Sequence, residues 1–113
     1  MVSIAKSQLQ RYVEATPTID TSAYATGDLI GSAAIDLSDA VLGAGASGEA
    51  HGGMIQSVIV TDLAKQSANL DIVFFDTAPS NTTFTDNAVF DPADADLVNI
   101  LGTVAITDWK TFN

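Results

Sequence analysis

The chain has 113 residues, no cysteine, and fourteen acidic residues against four basic ones, a formal net charge of −10. That length suits one domain with a single core. The missing cysteines exclude disulfides, thiolate nucleophiles and cysteine-ligated zinc, and the acidity would repel a phosphate backbone, so nucleic acid is not an expected partner.

The charge is uneven. Lys6 and Arg11 against Glu14 give the first fifteen residues +1, and two lysines against thirteen acids leave the rest at −11. Hydrophobic residues make up 47% and charged residues only 16%, with a mean hydropathy of +0.27. Small neutral and apolar residues must therefore cover much of the surface, as expected of a chain that meets another protein. No stretch approaches membrane-spanning length and the N-terminus lacks the apolar region of a secretory signal, so a soluble chain with no membrane partner is expected.

Residues 1–15 read as an N-terminal arm or a short helix, with Ile4, Leu9, Tyr12 and Val13 at roughly helical spacing. Residues 16–113 read as one domain. Pro17 favours an extended Thr16, and Thr18-Ile19-Asp20-Thr21 reads as a first strand. Asp28-Leu29-Ile30 and Ala33-Ala34-Ile35-Asp36-Leu37 are further strand candidates, punctuated by Gly27 and Gly31. The glycine-rich segment 43–53 reads as a loop.

Val58-Ile59-Val60 and Ile72-Val73-Phe74-Phe75 are β-branched and aromatic runs lying too close together for a crossover helix, so they are expected to pair antiparallel. Pro79-Ser80-Asn81 is a turn signal, and Thr82 to Thr85 reads as a brief pairing segment. Near residues 91–101 a short helix is expected, with Asp91 as N-cap, Pro92 at the first helical position and Asp94 near the positive end of the dipole. Leu97, Ile100 and Leu101 would form its apolar side and Gly102 its end, before a closing strand over Thr103-Val104-Ala105-Ile106-Thr107. Many short strands, one short helix and no strand–helix alternation predict an all-β fold, an antiparallel β-sandwich of jelly-roll-like form.

Residue types that carry chemistry are sparse. Gly43-Ala44-Gly45-Ala46-Ser47-Gly48 satisfies G-x-G-x-x-G, but Gly52-Gly53 spoils the helix that would hold a pyrophosphate and no parallel βαβ unit follows. His51, the single histidine, sits in that loop beside Glu49 and Ser47 with no rigid frame for a catalytic triad. Asp86, Asp91, Asp94 and Asp96 with Asn87 are oxygen-rich, yet their spacing departs from the EF-hand loop, and capping and turn chemistry account for most of them. Phe74, Phe75, Phe84, Phe90 and Trp109 read as core or sheet-packing aromatics rather than sugar platforms. No catalytic residue, metal site or cofactor is expected, and a glycan- or calcium-binding module remains an alternative.

The run Ser57-Val58-Ile59-Val60-Thr61-Asp62, with Gln66-Ser67-Ala68, the strand Leu70 to Phe75, Asp76, Pro79, Thr83-Phe84-Thr85-Asp86-Asn87 and Asp94-Ala95-Asp96-Leu97, resembles the capsid decoration, or cement, proteins of tailed bacteriophages. The resemblance spans residues 16–108. It implies a jelly-roll-like sandwich that forms a homo-oligomer, dimer or trimer, on the outer capsid surface of the virion and bridges subunits of the major capsid protein. Ile4, Leu9 and Tyr12 are then the arm residues expected to pack on the shell or an oligomer partner, with Lys6 and Arg11 meeting acidic shell residues. A tail or neck component is the other virion reading.

Overall fold

The computed structural model describes residues 12–38 and 53–112. Its regular structure is predominantly β: strand β1 (Leu70–Phe75), a single helical turn α1 (Asp94–Leu97) and strand β2 (Ile100–Ile106). The two strands form a two-stranded antiparallel sheet. Leu70 lies opposite Ile106, Ile72 opposite Val104 and Phe74 opposite Gly102, so a row of apolar side chains shares one face. Asp71, Val73, Thr103 and Ala105 occupy the other. Between Phe74 and Phe75 the register slips, because Phe75 pairs with Ile100 and Leu101 is left over as a bulge on β2.

The expected pairing of Val58-Ile59-Val60 with Ile72–Phe75 is not what forms. β1 takes Ile100–Ile106 as its partner, and residues 58–60 are in no strand. The intervening turn supplies the reason. The Asp62 carboxylate accepts the amides of Ala64, Gln66 and Ser67 at 2.9, 2.6 and 2.9 Å, while Lys65 and Ser67 adopt left-handed φ of 57° and 51°. From there Trp109 Nε1 donates to the Ala68 carbonyl at 2.9 Å, tying the entry of β1 to the chain just beyond β2.

Other sequence expectations contract. Residues 18–21, 33–37 and 82–85 form no strand. Residues 28–30 reduce to a single bridge between Asp28 and Val89, flanked by Leu29 N–H to Ala88 O (2.8 Å), Asn87 N–H to Leu29 O (2.9 Å) and Phe90 N–H to Gly27 O (2.9 Å). The helix expected near 91–101 is one turn long. Ala93, not Asp91, precedes it, in an extended conformation (ψ 143°), and Pro92 lies outside it. Gly102 does not end the helix but sits in β2, which begins three residues earlier than expected. The helix stays short because Asn99 N–H turns back to Asp96 O (3.0 Å) and the Asn99 carbonyl accepts Asp76 N–H (2.9 Å), steering the chain into the sheet.

No apolar side chain among the described residues is fully buried. The aromatic residues expected in the core are half-buried. Phe84 and Phe90 stack with centroids 6.0 Å apart, and the Lys110 ammonium lies 5.7 Å from the Phe112 ring centre.

Candidate functional site

Two features stand out: three aspartates that organise the loops, and a large apolar surface that those loops leave uncovered. Asp86 is the longest-range of the three. Its carboxylate accepts the Asp20 amide at 2.6 Å, the Gly31 amide at 2.6 Å and the Tyr24 hydroxyl at 2.8 Å, gathering residues 20–31 around residue 86. Burial pushes this carboxyl up, but the Gly31 amide, the Tyr24 hydroxyl and the Asp20 amide outweigh it and leave it below the ordinary aspartate value. The Tyr24 hydroxyl moves the other way, raised first by burial and then by the hydrogen bond to Asp86. Asp20 caps its own turn through the Ser22 amide at 3.0 Å, which holds its carboxyl low.

Asp96 is 1% exposed, the deepest side chain among the described residues. It accepts the Thr82 hydroxyl at 2.7 Å, the Asn81 amide at 3.0 Å and the Asn81 side-chain nitrogen at 3.0 Å, while the Thr82 hydroxyl oxygen accepts Ala93 N–H at 3.1 Å. The Thr82 hydroxyl is the main reason the Asp96 carboxyl lies below its ordinary value, against the opposing push of burial. Asp62 is lowered in the same way, first by the Ser67 amide. These carboxylates are satisfied structural acceptors.

The oxygen-rich stretch from Asp86 to Asp96 is thereby divided. Asp86 and Asp96 serve separate networks, whereas Asp91 and Asp94 line an open depression of about 480 Å³ together with Asn81, Thr83 and Thr85. Among the described residues no group of three or more His, Cys, Asp or Glu side chains is placed to share a metal ion. His51 and the glycine-rich run 43–48 lie outside the described residues, as do Ile4, Lys6, Leu9 and Arg11. Tyr12, the remaining arm residue, is described and is 85% exposed.

Seventeen large hydrophobic side chains among the described residues are exposed. Their densest run is residues 54–63, where Met54, Ile59 and Leu63 are 86–88% exposed and Ile55, Val58 and Val60 are also open. On the sheet, Val104 and Leu101 add to this surface. Sequence patterning had placed 58–60 inside a strand pair, and the missed signal was Asp62 followed by Ala64, Gln66 and Ser67, an Asx-type turn that redirects the chain. No helix among the described residues is long and apolar enough to cross a membrane. Comparison of the chain with protein-family models, with curated proteins and with solved structures finds no match.

Proposed function

We propose that this chain is a non-enzymatic virion structural protein, a capsid decoration protein of a tailed bacteriophage. It binds the outer capsid surface as a homo-oligomer and strengthens contacts between major capsid subunits. The observation that carries this reading is the uncovered apolar surface. With no apolar side chain buried among the described residues, the hydrophobic stabilisation that holds a domain together has to come from other chains. A lone two-stranded sheet is marginal in water, so the jelly-roll-like sandwich is a structure the chain completes in its assembly.

Decoration suits such a chain physically. A protein stabilises an expanded shell only by binding it more tightly than its precursor, and surface that stays exposed until a neighbour covers it supplies that difference. The acidic body favours solubility before assembly. The arm residues Ile4, Lys6, Leu9, Arg11 and Tyr12 are the proposed contacts to the shell or to the oligomer partner. Neither a cofactor, a nucleic acid nor a membrane enters this function.

The test is quantitative mass spectrometry of purified virions, counting this chain against the major shell protein. Near-stoichiometric amounts are expected. A few copies per particle would move the protein to the tail or neck, and its absence would reopen a free glycan- or calcium-binding module.

A further inference from the structure

We infer that residues 54–60 form a strand in trans, adding to the free edge of β1 in a second copy of this chain. This rests on the homo-oligomer in the proposed function and specifies how it is built. The donor is Met54-Ile55-Gln56-Ser57-Val58-Ile59-Val60, a run with the β-branched composition of a strand that no described strand takes up, every residue of it exposed. The acceptor is β1, six residues without proline, glycine or lysine, which pairs with β2 on one side and with no described residue on the other.

The two edges of the sheet are not equivalent. β2 carries the bulge at Leu101, which bends and twists its edge and makes it a poor template. The edge of β1 has no such device. Alternation then sets the facing: with Val58 and Val60 on the side of Leu70, Ile72 and Phe74, Ser57 and Ile59 fall on the side of Asp71 and Val73.

The occupant is a second copy for reasons of geometry and area. The same chain carries both donor and acceptor, and the Asp62-centred turn together with the Trp109–Ala68 hydrogen bond fixes a connection that leaves residues 54–60 off their own β1. From the exposed fractions, the apolar side chains of one donor offer roughly 600 Å². Reciprocal exchange about a two-fold axis removes on the order of 1,200 Å² from the two donors alone, which reaches the lower bound of a stable interface before the acceptor edges are counted.

The absence of native cysteine allows a clean test in the full chain. The double variant Ser57→Cys, Asp71→Cys is oxidised and its disulfide mapped by peptide mass spectrometry, alongside light scattering and sedimentation of the unlabelled protein. Expected are an oligomer in solution and a 57–71 disulfide joining two chains. Val58→Asp should weaken self-association at least tenfold, and Leu63→Asp, just outside the donor, should leave it unchanged. A 57–71 disulfide within one chain, or an oligomer indifferent to Val58→Asp, would overturn strand exchange while leaving the virion reading intact. A chain that stays monomeric would overturn both the exchange and the homo-oligomer; virion copy number then decides the capsid reading by itself.

Discussion

The Tyr24 hydroxyl meets the Asp86 carboxylate at 2.8 Å across 62 residues of sequence, and the same carboxylate holds the amides of Asp20 and Gly31. One side chain thus stitches the first described segment to the second in a chain with little apolar packing to do so. Asp86→Ala leaves three donors without their acceptor, whereas Tyr24→Phe removes one donor and leaves the amides in place. Asp86→Ala should lower the melting temperature by several degrees and Tyr24→Phe by clearly less, as read by calorimetry of the purified chain. Equal effects would mean that the amides of Asp20 and Gly31 gain nothing from the carboxylate.

Gly31 sits at φ 91°, and a Cβ placed there would come within 2.9 Å of the Pro17 Cβ. Gly27 has nearly the same φ, 92°, with open space around it. Gly27→Ala should cost about 1 kcal/mol, the left-handed penalty of an L-residue, and Gly31→Ala about 1–2 kcal/mol more because Pro17 must move. Denaturant melts of both variants measure the difference. Adding Pro17→Gly to Gly31→Ala removes the obstructing carbon and should recover part of the loss relative to Pro17→Gly alone.

What was legible in the sequence is what local chemistry decides. Ile72 to Phe75 form a strand as their β-branched and aromatic side chains predict, and Val104 to Ile106 lie in its partner. The choice of partner was not legible, since Val58-Ile59-Val60 is as strand-prone as Ile100–Ile106 and the decision falls to a distant turn and to Trp109. The helix overshot for a related reason. Leu97 is 46% exposed, so its spacing with Ile100 and Leu101 marked no buried stripe, and Ile100 and Leu101 belong to β2. Asp62, Asp86 and Asp96 were visible as residues of the resemblance but not as acceptors, because their donors lie in loops whose approach no periodicity encodes.

The ionisable groups predict a stability profile with two flanks. Asp20, Asp62, Asp86 and Asp96 are held below the ordinary value of 3.8, so the folded state favours their charged forms. Their contribution is fully present above that pH and is lost as pH falls through the depressed folded values. Tyr24 is raised above 10.0, so its contribution is present below that pH and is lost as pH rises beyond it. Melting temperature should therefore be flat between about pH 5 and 9, fall below about pH 4 and fall again above about pH 10. Asp96→Asn should soften the acid flank, and Tyr24→Phe the alkaline one.

Thr82 couples two local structures through one hydroxyl, donating to Asp96 and accepting the amide of Ala93 at the entry of α1. Thr82→Val keeps the shape and breaks both bonds, while Asp96→Asn keeps one carbonyl oxygen but turns an amide donor toward donors. Each variant alone should lower the melting temperature by several degrees. Together they should cost less than the sum, since both remove the 2.7 Å contact. A double-mutant cycle with additive losses would mean that the two residues act independently.

Trp109 closes the open end of the sheet. Its indole follows β2 and donates to the carbonyl just before β1, so it joins the two strands where no turn connects them. As the single tryptophan, it also makes the fluorescence of the whole chain a report on that contact. Trp109→Phe keeps a ring but loses the donor, at a cost of about 1 kcal/mol. Because the bond acts at one end of β1, hydrogen exchange should quicken most near Leu70, which pairs with Ile106, and least near Phe75, where the Asp76–Asn99 hydrogen bond holds the other end. Uniform acceleration along β1 would instead mean that the sheet opens as a unit and that Trp109 contributes packing alone.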